Sequence, residues 1–158
     1  MTRTERIDSY SKGYEKLAAA LNEIPKEMWN FKPAPNKWSV HEIIIHMADS
    51  EANSFSRARK IICEPSSTIM AYDQDTWAVK TKYSGQNTND ALELFKNLRK
   101  MTYNVIKDLP DSTWCNYIIH PENGRMTLDD WLGVYENHVA VHVYQMKRNL
   151  NEWQKSKS

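Results

Sequence analysis

Apolar residues recur at helical spacing in four stretches of this chain, and a proline-bearing segment separates each stretch from the next. Ile7, Tyr10, Tyr14, Leu17, Leu21 and Ile24 mark the first, which predicts a helix over roughly Thr4–Leu21. Pro25, Pro33 and Pro35 forbid a regular helix across 25–38, and Trp29, Phe31 and Trp38 in that linker are expected to pack down onto the rest. Ser39-Val-His-Glu42 fits a capping box and predicts a second helix from there to about Cys63, ended by Pro65. On it, Val40, Ile43, Ile44, Met47, Phe55, Ala58, Ile61 and Ile62 form an apolar arc. Glu42, His46, Asp49, Ser50, Asn53 and Arg57 form a polar stripe, which either faces water or lines a cleft; spacing alone does not decide.

Asp73 is placed to cap a short helix around Ala71–Ala78. A third long helix is predicted from about Asn89 to Leu109, where Pro110 stops it. Between 111 and 126, Pro121 and Asn123-Gly124 signal a turn, with Tyr117–His120 a short extended stretch, half of a hairpin. Thr127-Leu-Asp-Asp130 then caps a fourth helix running to about Gln154, with a core stripe of Leu128, Trp131, Leu132, Tyr135, Val139, Val143, Met146 and Leu150. All six prolines fall outside the four patterns. Four amphipathic helices on long linkers predict an all-α four-helix bundle, and 158 residues are most simply one domain, 1–158.

A formal net charge of +1 and dispersed basic residues give no electrostatic case for nucleic acid or an anionic membrane. No apolar run would span a bilayer, and the first residues lack a secretory segment, so a cytoplasmic protein is the expectation. Two cysteines, Cys63 and Cys115, are too few for a disulfide framework and are expected to be small buried apolar residues.

The candidate chemistry lies in the histidines. His138 and His142 stand at i and i+4, near one another on one helical face, where both rings can approach one metal ion. His46 lies in the second helix, and three neutral imidazoles with an open position form an arrangement for a catalytic divalent metal. Either the three meet, or His46 is solvated and the pair is merely packed. His41 and His46, five residues apart, diverge by roughly 140° on a helix and cannot share an ion, which excludes the zinc-protease pattern. A di-iron site fails because neither His46 nor the His138/His142 pair has a glutamate three residues before it. His41 is expected to be exposed and His120 to be a loop histidine.

Trp38-Ser-Val-His-Glu-Ile-Ile-Ile-His46-Met-Ala-Asp-Ser-Glu, Tyr72-Asp-Gln-Asp-Thr-Trp77-Ala and Glu136-Asn-His-Val-Ala-Val-His142 together resemble the DinB superfamily. The branch they resemble is that of the YfiT-like metal-dependent hydrolases, which overlaps the bacillithiol transferases. The resemblance implies an up-down-down-up bundle, often a homodimer, with zinc or nickel held by His46, His138 and His142. It would place Asp49, Ser50, Asn53 and Arg57 at the border of the metal cleft, and it leaves the catalytic acid or base unplaced. Arg57, Asn53, Trp77 and Tyr135 are then the expected substrate-binding residues, with Trp38, Tyr72 and Trp131 also shaping the pocket. The implied function acts on small molecules: S-transfer from a low-molecular-weight thiol such as bacillithiol to an electrophile, or metal-assisted hydrolysis. The alternative is a non-catalytic stress-response bundle that binds a metal or small ligand.

Overall fold

The computed structural model describes residues 1–158 and contains six α-helices and one hairpin. Helices α1 (Arg3–Ser11) and α2 (Gly13–Asn22) form one arm of the bundle, and α3 (Val40–Cys63), α5 (Thr88–Ile106) and α6 (Leu128–Ser156) form the other three. The short α4 (Gln74–Lys80) lies between α3 and α5. Strands β1 (Tyr117–His120) and β2 (Gly124–Thr127) pair antiparallel just before α6. The α1–α2 arm packs on α5 and α6, and α3 also packs on α5 and α6, so the circuit of neighbours runs α1–α2, α5, α3, α6. Two connections therefore cross the bundle diagonally, from α2 to α3 and from α5 to α6. That explains why the linkers are longer than the short loops of a simple up-and-down bundle. No helix is long and apolar enough to cross a membrane.

Local chemistry fixes the helix starts. Ser39 and Thr127 each accept from the backbone three residues on, while Glu42 and Asp130 reach back to the cap, so both predicted capping boxes form. Asp73 caps α4 through the backbone N–H groups of Asp75 and Thr76. The first helix differs from expectation, because it breaks at Lys12. The guanidinium of Arg99 comes so close there that a β-carbon on Gly13 would sit 2.1 Å from its Nη1. Only glycine leaves that space.

The core is divided. Leu17, Leu21, Met28, Ile43, Ile44, Met47, Phe95, Val139 and Met146 fill one end, and Tyr10, Ala58, Ile61, Ile106, Trp114, Leu128, Trp131 and Leu132 fill the other. Between them α3 buries Ser50, Glu51 and Ser54, and α5 buries Arg99 and Thr102. Arg99 donates twice to Glu51 Oε2 (3.2 and 2.8 Å) and to the carbonyl oxygens of Tyr135 (3.0 Å) and Tyr10 (3.4 Å). Tyr10 Oη donates to the other oxygen of Glu51 at 2.7 Å. This cluster takes one residue from each arm of the bundle.

Cys63 and Cys115 are exposed rather than buried: one is the last residue of α3, the other ends a 3₁₀ turn over Asp111–Cys115, where solvent reaches the side chains. Trp131 packs wholly inside the second half-core with its indole N–H on the Ser54 carbonyl, so it does not line a pocket as expected.

Replacing Arg99 by Leu leaves the Glu51 carboxylate buried without its counter-charge, and urea unfolding should show a loss of about 3–5 kcal/mol. The double variant Glu51→Leu/Arg99→Leu should recover most of it, since neither charge must then be desolvated. Additive losses in the double variant would contradict this account.

Candidate metal centre

The two long helices α3 and α6 bring three imidazoles together next to the polar layer. His46 sits two turns into α3, and His138 and His142 occupy successive turns of α6. One nitrogen from each ring can be chosen so that all three lie within 4.8 Å of one another. Ring centroids are 4.4 Å apart for His138–His142, 4.7 Å for His46–His142 and 5.5 Å for His46–His138. The Nε2 atoms of His138 and His142 face each other at 3.0 Å. That is about the separation of two neighbouring ligands each roughly 2.0–2.1 Å from one ion.

The setting keeps these rings neutral, which ligation requires. Burial pushes His46 down to about 3, with His142 adding to the effect. Burial and then the neighbouring His142, His46 and Arg99 push His138 down to about 2. Burial lowers His142 to about 4, against the opposing hydrogen bond to Gln145. His142 Nδ1 lies 3.0 Å from Gln145 Oε1, so a proton donated there leaves the lone pair on Nε2, the atom that faces His138. Nδ1 of His46 and Nδ1 of His138 are buried without a hydrogen-bond partner. A nitrogen-only donor set, fixed in orientation and partly unsatisfied, fits a borderline divalent cation such as zinc or nickel.

Around the rings the wall is polar and aromatic. The Trp38 ring lies 4.6 Å from that of His46, and Ser50 Oγ is 3.5 Å from His138 Nε2. Arg57 is half-buried, has no carboxylate partner, and donates from Nη1 to Tyr135 Oη at 3.0 Å. Burial raises the Tyr135 and Tyr72 phenols, while the Arg57 charge pulls both back. Tyr83 donates to Asp49 Oδ2, and burial with that carboxylate beside it raises the Tyr83 phenol far above its ordinary value.

The structure brings His46, His138 and His142 together and sets Arg57 against Tyr135. Asn53 is half-buried and donates to the Asp49 carbonyl of its own helix. Trp77 is exposed, and its ring lies tilted at 53° against that of Tyr72 with centroids 4.7 Å apart. The polar stripe of α3 thus does not simply face water: Glu42, His46 and Ser50 are all under 8% exposed, and Asp49, Asn53 and Arg57 are half-buried. His41 is not free, since its Nε2 donates to the Tyr83 carbonyl at 3.1 Å. His120 is a buried strand residue instead of a loop one. Its Nδ1 accepts from the backbone N–H groups of Glu122 and Asn123, and burial and Arg57 lower its pKa. Sequence reasoning missed Gln145, although its place three residues after His142 puts it on the same face of α6.

The sequence profile of the DinB superfamily matches residues 9–146. A protein of Oceanobacillus iheyensis, provisionally named a metal-dependent hydrolase, is 29% identical over 106 residues, which are 67% of this chain and 61% of that protein. A Bacillus cereus protein with the same provisional name is 24% identical over 154 residues, 93% of this chain and 88% of its own. Among solved structures, YfiT from Bacillus subtilis, provisionally a metal-dependent hydrolase with an unusual four-helix bundle topology, superposes with a TM-score of 0.88. It is 20% identical, over 98% of this chain and 90% of its own. The mycothiol-dependent maleylpyruvate isomerase superposes with a TM-score of 0.73 at 10% identity, over 92% of this chain and 61% of that one. These structures share the bundle fold.

The depressed histidines carry a signed consequence for stability. As pH falls below about 6.5 the unfolded chain takes up protons at these rings, while the folded one resists until near pH 4 and below. Stability of the metal-free protein should therefore be level above about pH 7 and fall progressively below 6.5. The urea midpoint should track this, with a shallower fall in His138→Gln; equal slopes would refute the burial argument. Gln145→Leu should weaken metal binding by roughly tenfold in competition with a chromophoric chelator, because the His142 ring loses its orienting partner.

Proposed function

This chain belongs to the DinB superfamily, and from that premise we propose that it is a metal-dependent enzyme transferring a low-molecular-weight thiol, of the bacillithiol kind, to a small electrophile. The observation that carries the reading is the meeting of three neutral imidazoles from two helices, His46 and His142 buried and His138 half-buried, with one nitrogen of each within 4.8 Å of the others. A divalent ion held there with an open position would make a thiol, or a water, nucleophilic at neutral pH.

The residues of the chain supply the rest. His46, His138 and His142 hold the ion, and Gln145 orients His142 through Nδ1. Trp38 covers one side of His46, and Tyr72 with Trp77 tilted against it narrows the access of bulk water. Arg57, held by Tyr135 Oη and lacking a carboxylate partner, is available to an anionic group of a reactant.

Thiol transfer is favoured over hydrolysis by the state of the neighbouring carboxylates. Asp49 accepts from Tyr83, Glu51 is locked to Arg99, and Glu136 accepts from Ser9. Each is already engaged in a contact of the fold, which disfavours its use as the shuttle for the protons that hydrolysis must take from water and give to a leaving group. A thiol gives up its one proton to solvent on binding, and needs no such shuttle. Thiol dependence is also known of one structural relative, the mycothiol-dependent isomerase, while the names of the sequence relatives support metal-assisted hydrolysis as the second reading.

Turnover of monochlorobimane with bacillithiol, before and after chelation, tests the proposal. Chelation and His142→Ala should each remove at least roughly 90% of the rate above the uncatalysed background. Equal rates before and after chelation would refute thiol transfer at this centre. A cobalt-loaded protein whose visible spectrum ignores added thiol, and which turns over no electrophile, would instead support a non-catalytic binding role.

A further inference from the structure

A polar groove of about 240 Å³ reaches the histidine centre at His142. Lys37 and Trp38 from the linker before α3, Asp75 from α4, and Gln145 and Arg148 from α6 line it. It adjoins a wider recess of about 580 Å³ that shares Lys37, Trp38 and Asp75 and adds Lys82. Lys37, Lys82 and Arg148 make no ion pair, whereas the recess's other lysine, Lys32, is neutralised by Glu42 at 2.8 Å. One carboxylate, Asp75, stands against these three free cations.

The groove is built rather than incidental. Asn149 is fully buried, and its Nδ2 donates to the Trp38 carbonyl at 2.8 Å while its Oδ1 accepts from Arg148 Nη2 at 3.2 Å. One amide thus ties the linker that carries Lys37 to the helix that carries Arg148 and His142. The Trp38 ring in turn rests on His46. Moving either cation's backbone would disturb the centre itself.

We infer that this groove binds the anionic end, one or two carboxylates, of the small molecule whose reactive end meets the histidines. Two cations without ion-pair partners, Lys37 on one wall and Arg148 on the other, outweigh Asp75, so the groove selects a negatively charged tail and disfavours a cationic one. The site is distinct from Arg57, which meets the centre through Tyr135 beside His138 rather than at His142. Two separate anion holders suit two reactants, as transfer requires. The identity of the reactive end as a thiol rests on the function proposed above; the charge of the groove does not.

The test compares mercaptosuccinate with 2-mercaptoethanol, titrated into cobalt-loaded protein and followed by visible absorption. Succinate is titrated into the same protein and followed at the Trp38 indole N–H by NMR. The dianionic thiol should bind roughly tenfold tighter than the neutral one. Lys37→Gln/Arg148→Gln should abolish that preference without changing affinity for 2-mercaptoethanol, and should abolish the succinate response. Lys37→Gln alone, at an exposed position, should give part of the loss. If neither thiol changes the spectrum, the thiol reading fails while the succinate arm still judges the groove. A succinate response absent from the wild type, or undiminished in the double variant, overturns the inference.

Discussion

One guanidinium is the common contact of this fold. Arg99 on α5 bonds the Glu51 carboxylate of α3 and the backbone carbonyls of Tyr10 on α1 and Tyr135 on α6, while Tyr10 Oη completes the carboxylate from the other side. Charges this deep tolerate little displacement, because any lost contact leaves a desolvated group without compensation. The glycine at the break between α1 and α2 suits that arrangement, since a side chain at position 13 would collide with Arg99. The register of α3 against α6 follows from the same bonds. Glu51 is five residues beyond His46, and Tyr135 is three before His138, so the contacts that fix these helices also fix the spacing of their imidazoles.

The centre puts opposing demands on its surroundings. Ligands must be neutral and oriented, which favours burial, yet buried ring nitrogens need partners. Gln145 meets that need for His142, while Nδ1 of His46 and of His138 is without a hydrogen bond. Nε2 of His138 and Nε2 of His142 face each other at 3.0 Å, and a shared cation would give both lone pairs a partner. Binding such a cation would stabilise the folded chain relative to the unfolded one, in which no preformed site exists.

Much of this was legible in sequence because the signals were local. Ser39–Glu42 and Thr127–Asp130 are self-contained capping devices, and α3, α4 and α6 begin where those residues say they should. The i, i+4 relation of His138 and His142 is likewise a property of one helix. The approach of His46 to them was not, since it depends on packing between helices far apart in the chain. The same limit hid the break at Lys12 and the approach of the α5 guanidinium to Gly13. Residues of the groove were invisible for the same reason: Lys37 and Arg148 become neighbours only once Asn149 joins linker to helix.

The placement of the histidines beside the polar layer has a physical logic. A bundle filled from end to end with apolar side chains would offer no position where an open coordination site could be reached by solvent and reactants. Here the apolar filling is interrupted at the level of Ser50, Glu51 and Ser54, with the His46 ring one turn away and the Arg57 guanidinium at the same helix's next polar position. The two half-cores provide the hydrophobic driving force, and the ion pair gives the interruption a single well-defined geometry. Ligand placement and fold stability are therefore coupled through Glu51 and Arg99. A change at either should disturb the imidazole spacing even though neither side chain touches an imidazole ring nitrogen.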